Sequence, residues 1–145
     1  MFIKQLSVFI ENREGRLGEV LTALKDSNIN IVSLSLADTS DYGMLRMVTC
    51  NPEEAKKVLK EKGFSAKLTD VIAVKLEHKV GQLQKVLEVL ITANINVEYM
   101  YALSTKNEDA IIVLKTSNAE EAALALQKEG ADFLTSKEIE ELSNM

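Results

Sequence analysis

The chain has 145 residues, 46% of them apolar and 27% charged, with a formal net charge of −5. That mixture supports packed cores and excludes extended disorder, and an acidic balance without a basic cluster argues against nucleic acid as a partner. No window is apolar enough for a membrane-spanning helix and the first residues lack a signal-peptide pattern, so a cytoplasmic protein without a membrane partner is expected.

Leu6, Val8 and Ile10 alternate with Gln5, Ser7 and Glu11, which predicts a first strand. Polar residues 11–15 end it, and from Arg16 the apolar spacing turns helical through Leu17, Val20, Leu21 and Leu24. Asn28 follows where a left-handed C-terminal cap is expected. A second strand is predicted from about Ile29 to Ala37, a turn over 38–42, and a third strand from Met44 to Cys50. Asn51 is placed to cap a second helix, with Pro52 at its first position and Glu54 completing a capping box. Gly63 ends that helix, and Phe64 to Leu68 begin a fourth strand.

The same order then returns. Glu11, Gly15, Leu17, Asn28, Ile29 and Asn30 recur as Glu77, Gly81, Leu83, Asn94, Ile95 and Asn96; Glu53, Leu59 and Gly63 recur as Glu120, Leu126 and Gly130, with Asn118 as the second cap. Each copy reads βαββαβ, the ferredoxin-like split βαβ unit of the α+β class. The expected domains are 1–68 and 69–145, joined with almost no linker and paired side by side into an eight-stranded antiparallel sheet with helices on one face. Ser136 to Met145 reads as a short extra helix, with Ser136 as its cap and Ile139 and Leu142 three apart.

Glu11-Asn12-Arg13-Glu14-Gly15-Arg16-Leu17 followed by Asn28-Ile29-Asn30-Ile31 resembles the signature of the ACT domain, a ferredoxin-like module that binds amino acids and similar effectors. Ser35-Leu36-Ala37-Asp38-Thr39 and Glu98-Tyr99-Met100-Tyr101 add to the likeness. The resemblance covers nearly the whole chain and implies a tandem ACT protein without a catalytic domain, a regulatory sensor binding an amino acid at the interface between the copies. The sequence departs from the family pattern at Glu14, where Pro is usual, and at Asn28 and Asn94, where Gly is usual. In the second loop His78, Lys79 and Val80 replace Asn12, Arg13 and Glu14.

Apart from any family, a glycine ahead of a helix permits positive φ, and the unpaired amides of the next turn, with the helix dipole, favour a carboxylate. Gly15 with Arg16 and Leu17, and Gly81 with Gln82 and Leu83, are so placed. Strand carbonyls and the oxygens of Asn12, Asn30 or Asn96 are candidate acceptors for the ammonium. Arg13, Lys79 and His78 are further ligand candidates, as are Tyr99 and Met100 on a strand at the sheet edge. Such a glycine is more often just a tight turn, and the co-occurrence of Asn12, Gly15 and Asn30 with this fold favours binding. Tyr99 and Tyr101 share one strand face and either wall a pocket or cover the helix-free side.

The third strands, with Met44-Leu45, Met47-Val48 and Ile111 to Leu114, are apolar on both faces, which predicts partial burial of the helix-free side and a homodimer. No enzyme is expected. Cys50 on a strand and His78 on a loop form no credible nucleophilic pair, no metal set is visible, and no glycine pattern suggests a cofactor. The expected partners are a free amino acid, a second copy, and a regulated enzyme or transcription partner. A ligand-free assembly adaptor, an acylphosphatase-like enzyme using the Arg13 loop, and an RNA-binding module on the same topology are the alternatives.

Overall fold

A computed structural model describes residues 2–38, 41–77, 79–103 and 110–143. The described elements are β1 (Ile3–Glu11), α1 (Arg16–Asp26), β2 (Ile31–Asp38), β3 (Tyr42–Thr49), α2 (Pro52–Glu61), β4 (Ser65–Leu76), α3 (Gln82–Thr92), β5 (Val97–Leu103), β6 (Ala110–Thr116), α4 (Ala119–Lys128), β7 (Asp132–Phe133) and α5 (Ser136–Ser143). No described helix is long and apolar enough to cross a membrane.

The chain divides into two compact units. One runs from Lys4 to Thr69 and takes in residues from Ile139 onward; the other runs from Asp70 to Glu138 and takes in the residues up to Ile3. In the first unit the strand order is β2-β3-β1-β4, and in the second it is β5-β6-β4-β7, each the order of a split βαβ unit. Where eight strands are expected, the described residues form seven. Residues 69–71 do not break the chain, so the last strand of the first copy and the first strand of the second are one strand, β4. Among the described residues β2 is bonded to β3 and β5 to β6, and each lies at an edge.

In the first unit Leu6, Val8 and Ile10 of β1, and Leu45 and Met47 of β3, pack against Val20 and Leu24 of α1 and Leu59 of α2. In the second, Ile72 and Val74 of β4 and Leu114 of β6 do the same with Val86, Leu90 and Leu126. The helices end as their sequences predict. Asn28 and Asn94 hold φ of 58° and 60°, and the Ile29 and Ile95 amides reach back to Leu24 and Leu90 at 2.9 Å each. Gly63 and Gly130 do the same for α2 and α4. The Asn51 and Asn118 side chains accept from the Glu54 and Glu121 amides at 3.3 and 3.1 Å.

Two features differ from expectation, and the burial expected on the helix-free side is present. Gln5 and Ser7, the polar members of the first strand's alternation, are buried and bonded to each other at 3.0 Å. Val48, Ile111 and Val113, on the strand faces away from the helices, are buried too, and this occurs within one chain. The cap of α5 is Thr135 rather than Ser136: its hydroxyl accepts from the Glu138 amide at 3.2 Å, and Glu138 accepts from the Thr135 amide at 3.2 Å, a capping box.

Candidate functional site

Both helix-entry loops are built by the backbone, and they match closely although their sequences diverge. The Arg13 and Lys79 amides turn back to the carbonyls of Glu11 and Glu77 at 2.9 and 2.8 Å. Arg16 and Gln82 then close on the carbonyls of Arg13 and Lys79 at 3.5 and 3.4 Å. Gly15 and Gly81 sit at the N-caps with φ of 85° and 87°, a region that side chains with a Cβ disfavour. Among the described residues no side chain caps either helix. The first-turn amides of α1 and α3 thus lack the acceptor that Asn51 and Asn118 supply to α2 and α4.

The loop side chains have partners of their own. Arg13 Nε lies 3.2 Å from Glu11 Oε2 and Lys79 Nζ lies 2.9 Å from Glu77 Oε2, all on the exposed surface. The hydrogen bond from Lys79 holds the Glu77 carboxyl below its ordinary range and raises Lys79 in turn. The Asn12 amide donates to the Asp41 carbonyl at 3.1 Å. Leu17 and Leu83 are half-buried and pack against their cores. His78, a ligand candidate because it takes the place of Asn12 in the second copy, lies outside the described residues.

Asn30 does not join its own loop. It follows the C-terminal end of α1 while Gly15 stands at the N-terminal end, and the 11 residues between span about 16 Å at 1.5 Å per residue. Asn96 stands in the same way beyond α3. The Asn30 carbonyl accepts from Cys50 at 3.2 Å, and the Asn96 amide donates to the Ser117 hydroxyl at 3.1 Å. On β5, Tyr99, Tyr101 and Leu103 share the face of Val113 and Ile111, away from the helices, while Met100 lies on the helix side opposite Leu114 and is half-exposed.

Sequence reasoning missed a stack. The Arg16 guanidinium lies 4.4 Å from the centre of the Phe64 ring and is bonded to Glu19, and its Nε is buried without a hydrogen-bond partner. An open depression of about 600 Å³ beside it is lined by Gly15, Gly18, Glu19, Thr22 and Phe64, among others. The signal was available in the mismatch between copies, because Gln82 and Ala131 stand where Arg16 and Phe64 do.

The family profile described as ACT domain pair matches residues 1–143. The chain belongs to the ACT domain pair family. A crystal structure of a protein from Bacteroides thetaiotaomicron is 36% identical, superposes with a TM-score of 0.91, and is covered over 98% of each chain. The regulatory subunit of aspartate kinase from Thermus flavus (21% identity, TM-score 0.59, 86% of this chain and 90% of that one) shares the fold. So does its counterpart from Thermus thermophilus in a ligand-free form, at 15% identity and a TM-score of 0.58 over 86% and 91% of the two chains. No curated protein matches the chain in sequence. ACT pairs are typical of amino-acid-binding regulatory domains.

Proposed function

We propose that this ACT pair is a non-catalytic sensor that binds a free amino acid at its glycine loops and passes the bound state to a regulated partner protein. The observation that carries the reading is the pair of uncapped helix starts behind Gly15 and Gly81. Each leaves first-turn amides and the positive end of a helix dipole for a carboxylate. The family supports an amino acid as the owner of that carboxylate. Arg13 and Lys79, already paired with Glu11 and Glu77, open toward the ligand at little cost, since exposed ion pairs are weak. Binding shifts the population of one conformation, which the partner reads.

Self-association belongs to the same proposal and rests on β2. From Ile31 to Ala37 that edge strand has no charged residue, and it exposes Leu34 and Leu36 by 45% and 47%. A second copy is a natural occupant of such an unguarded edge. Sedimentation of the wild type and of Leu34→Lys tests this, and a monomeric wild type removes the claim.

The ligand is tested by melting the protein in the presence of each of the twenty amino acids. One present at a hundred times its Kd adds about 2.7 kcal/mol of stability. If none moves the transition, the sensor reading gives way to that of a ligand-free adaptor.

A further inference from the structure

The two copies differ most where their last strands begin. Phe64-Ser65-Ala66 aligns with Ala131-Asp132-Phe133, so the phenyl ring is displaced by two residues along the strand. In the first unit Phe64, 6% exposed, closes the end of the core beneath Arg16. In the second unit Gln82 and Ala131 replace that stacked pair, and Phe133 sits further in, opposite Val74. The space is left open as a cavity of about 380 Å³ with Val74, Leu76, Val86 and Leu126 as its floor. Val86 reflects the thinner cover: it is 8% exposed, whereas its counterpart Val20 is 0%.

We propose that this cavity is a binding site for a small molecule with one phenyl-sized ring and a zwitterionic head, such as an aromatic amino acid. The ring takes the place that Phe64 fills in the first copy, against a floor of the same apolar character. The head lies at the mouth, where Lys85 faces a carboxylate and Glu129 and Asp132 face an ammonium. Lys85 is held in no ion pair among the described residues, whereas Lys75, which also lines the cavity, is paired with Glu138. The rim sets Glu77, Glu129 and Asp132 against Lys75 and Lys85, so an anion alone would meet an excess of carboxylates, and a mixed rim of this kind favours a zwitterion. Gln82, the first residue after Gly81, lines the cavity too, but the site is argued from the difference between the copies and does not rest on the glycine-loop reading.

The test uses the whole chain with L-phenylalanine as probe and L-alanine as the ringless control. Ala131→Phe restores the first copy's ring, so the ligand-free variant is expected to melt higher than wild type while its affinity for phenylalanine falls by about tenfold or more. Lys85→Ala, an exposed position, is expected to fold normally and to weaken phenylalanine binding severalfold. If Ala131→Phe fails to fold, methyl chemical shifts decide: perturbation of Val74, Val86 and Leu126 by phenylalanine supports the site, and its absence overturns it. A wild type that binds phenylalanine no better than alanine refutes the proposal, as does a folded Ala131→Phe that keeps wild-type affinity. A ligand of the Gly15 loop keeps its effect in Ala131→Phe, so the two readings fail separately.

Discussion

Lys75 Nζ on β4 lies 2.6 Å from Glu138 Oε2 on α5, and the same carboxylate closes the helix cap at Thr135. One side chain therefore holds both the start of the last helix and its attachment to the strand. Glu138→Gln keeps the cap and removes the charge, and is expected to cost under about 1 kcal/mol because the pair is about one-third exposed. Glu138→Ala loses the cap as well and is expected to cost about 1–2 kcal/mol, measured by urea unfolding.

The same pair sets a pH dependence. The hydrogen bond from Lys75 holds the Glu138 carboxyl below its ordinary value and raises Lys75 above its own. The carboxylate's contribution is complete above the ordinary value and is lost as pH falls through the lowered one. The ammonium's contribution is complete below its ordinary value and is lost as pH rises through the raised one. The melting difference between wild type and Glu138→Gln is thus expected to be largest near neutrality and to close in acid; a difference that grows in acid contradicts the pairing.

Thr49 and Thr116, at equivalent ends of β3 and β6, are both buried, with hydroxyls that have no partner. An unpaired buried hydroxyl costs about 1–3 kcal/mol. Thr49→Val and Thr116→Val keep the shape and remove that cost, so each is expected to stabilise by about 1 kcal/mol in chemical denaturation.

Gly15 and Gly18 separate conformational strain from space. An added Cβ would meet nothing within 4 Å at either position, yet only Gly15 has positive φ. Gly18→Ala is expected to stabilise α1 by about 0.5–1 kcal/mol. Gly15→Ala is expected to destabilise by about 1–2 kcal/mol and to lower amino-acid affinity, read together by melting and calorimetry.

How much of the molecule is legible in its sequence follows from the range of each signal. The caps at Asn51 and Asn118, the left-handed turns at Asn28 and Asn94 and the order of elements are legible because each depends on a few adjacent residues. The burial of Gln5 and Ser7 is not, because alternation gives two faces without saying what lies over the second. Asn30 and Gly15 stand at opposite ends of α1, three turns apart. The stack of Arg16 on Phe64 joins residues 48 positions apart, and only comparison of the copies hints at it.

Each compact unit includes a short stretch from the opposite end of the chain: the start of β1 for the later unit, and the end of α5 for the earlier one. A gene cut between residues 69 and 70 would deprive both products of a piece of themselves. Strand β4 would also be divided in its middle. Halves cut at that point therefore carry the duplicated sequence without the duplicated structure, and each would need a new end to complete its unit.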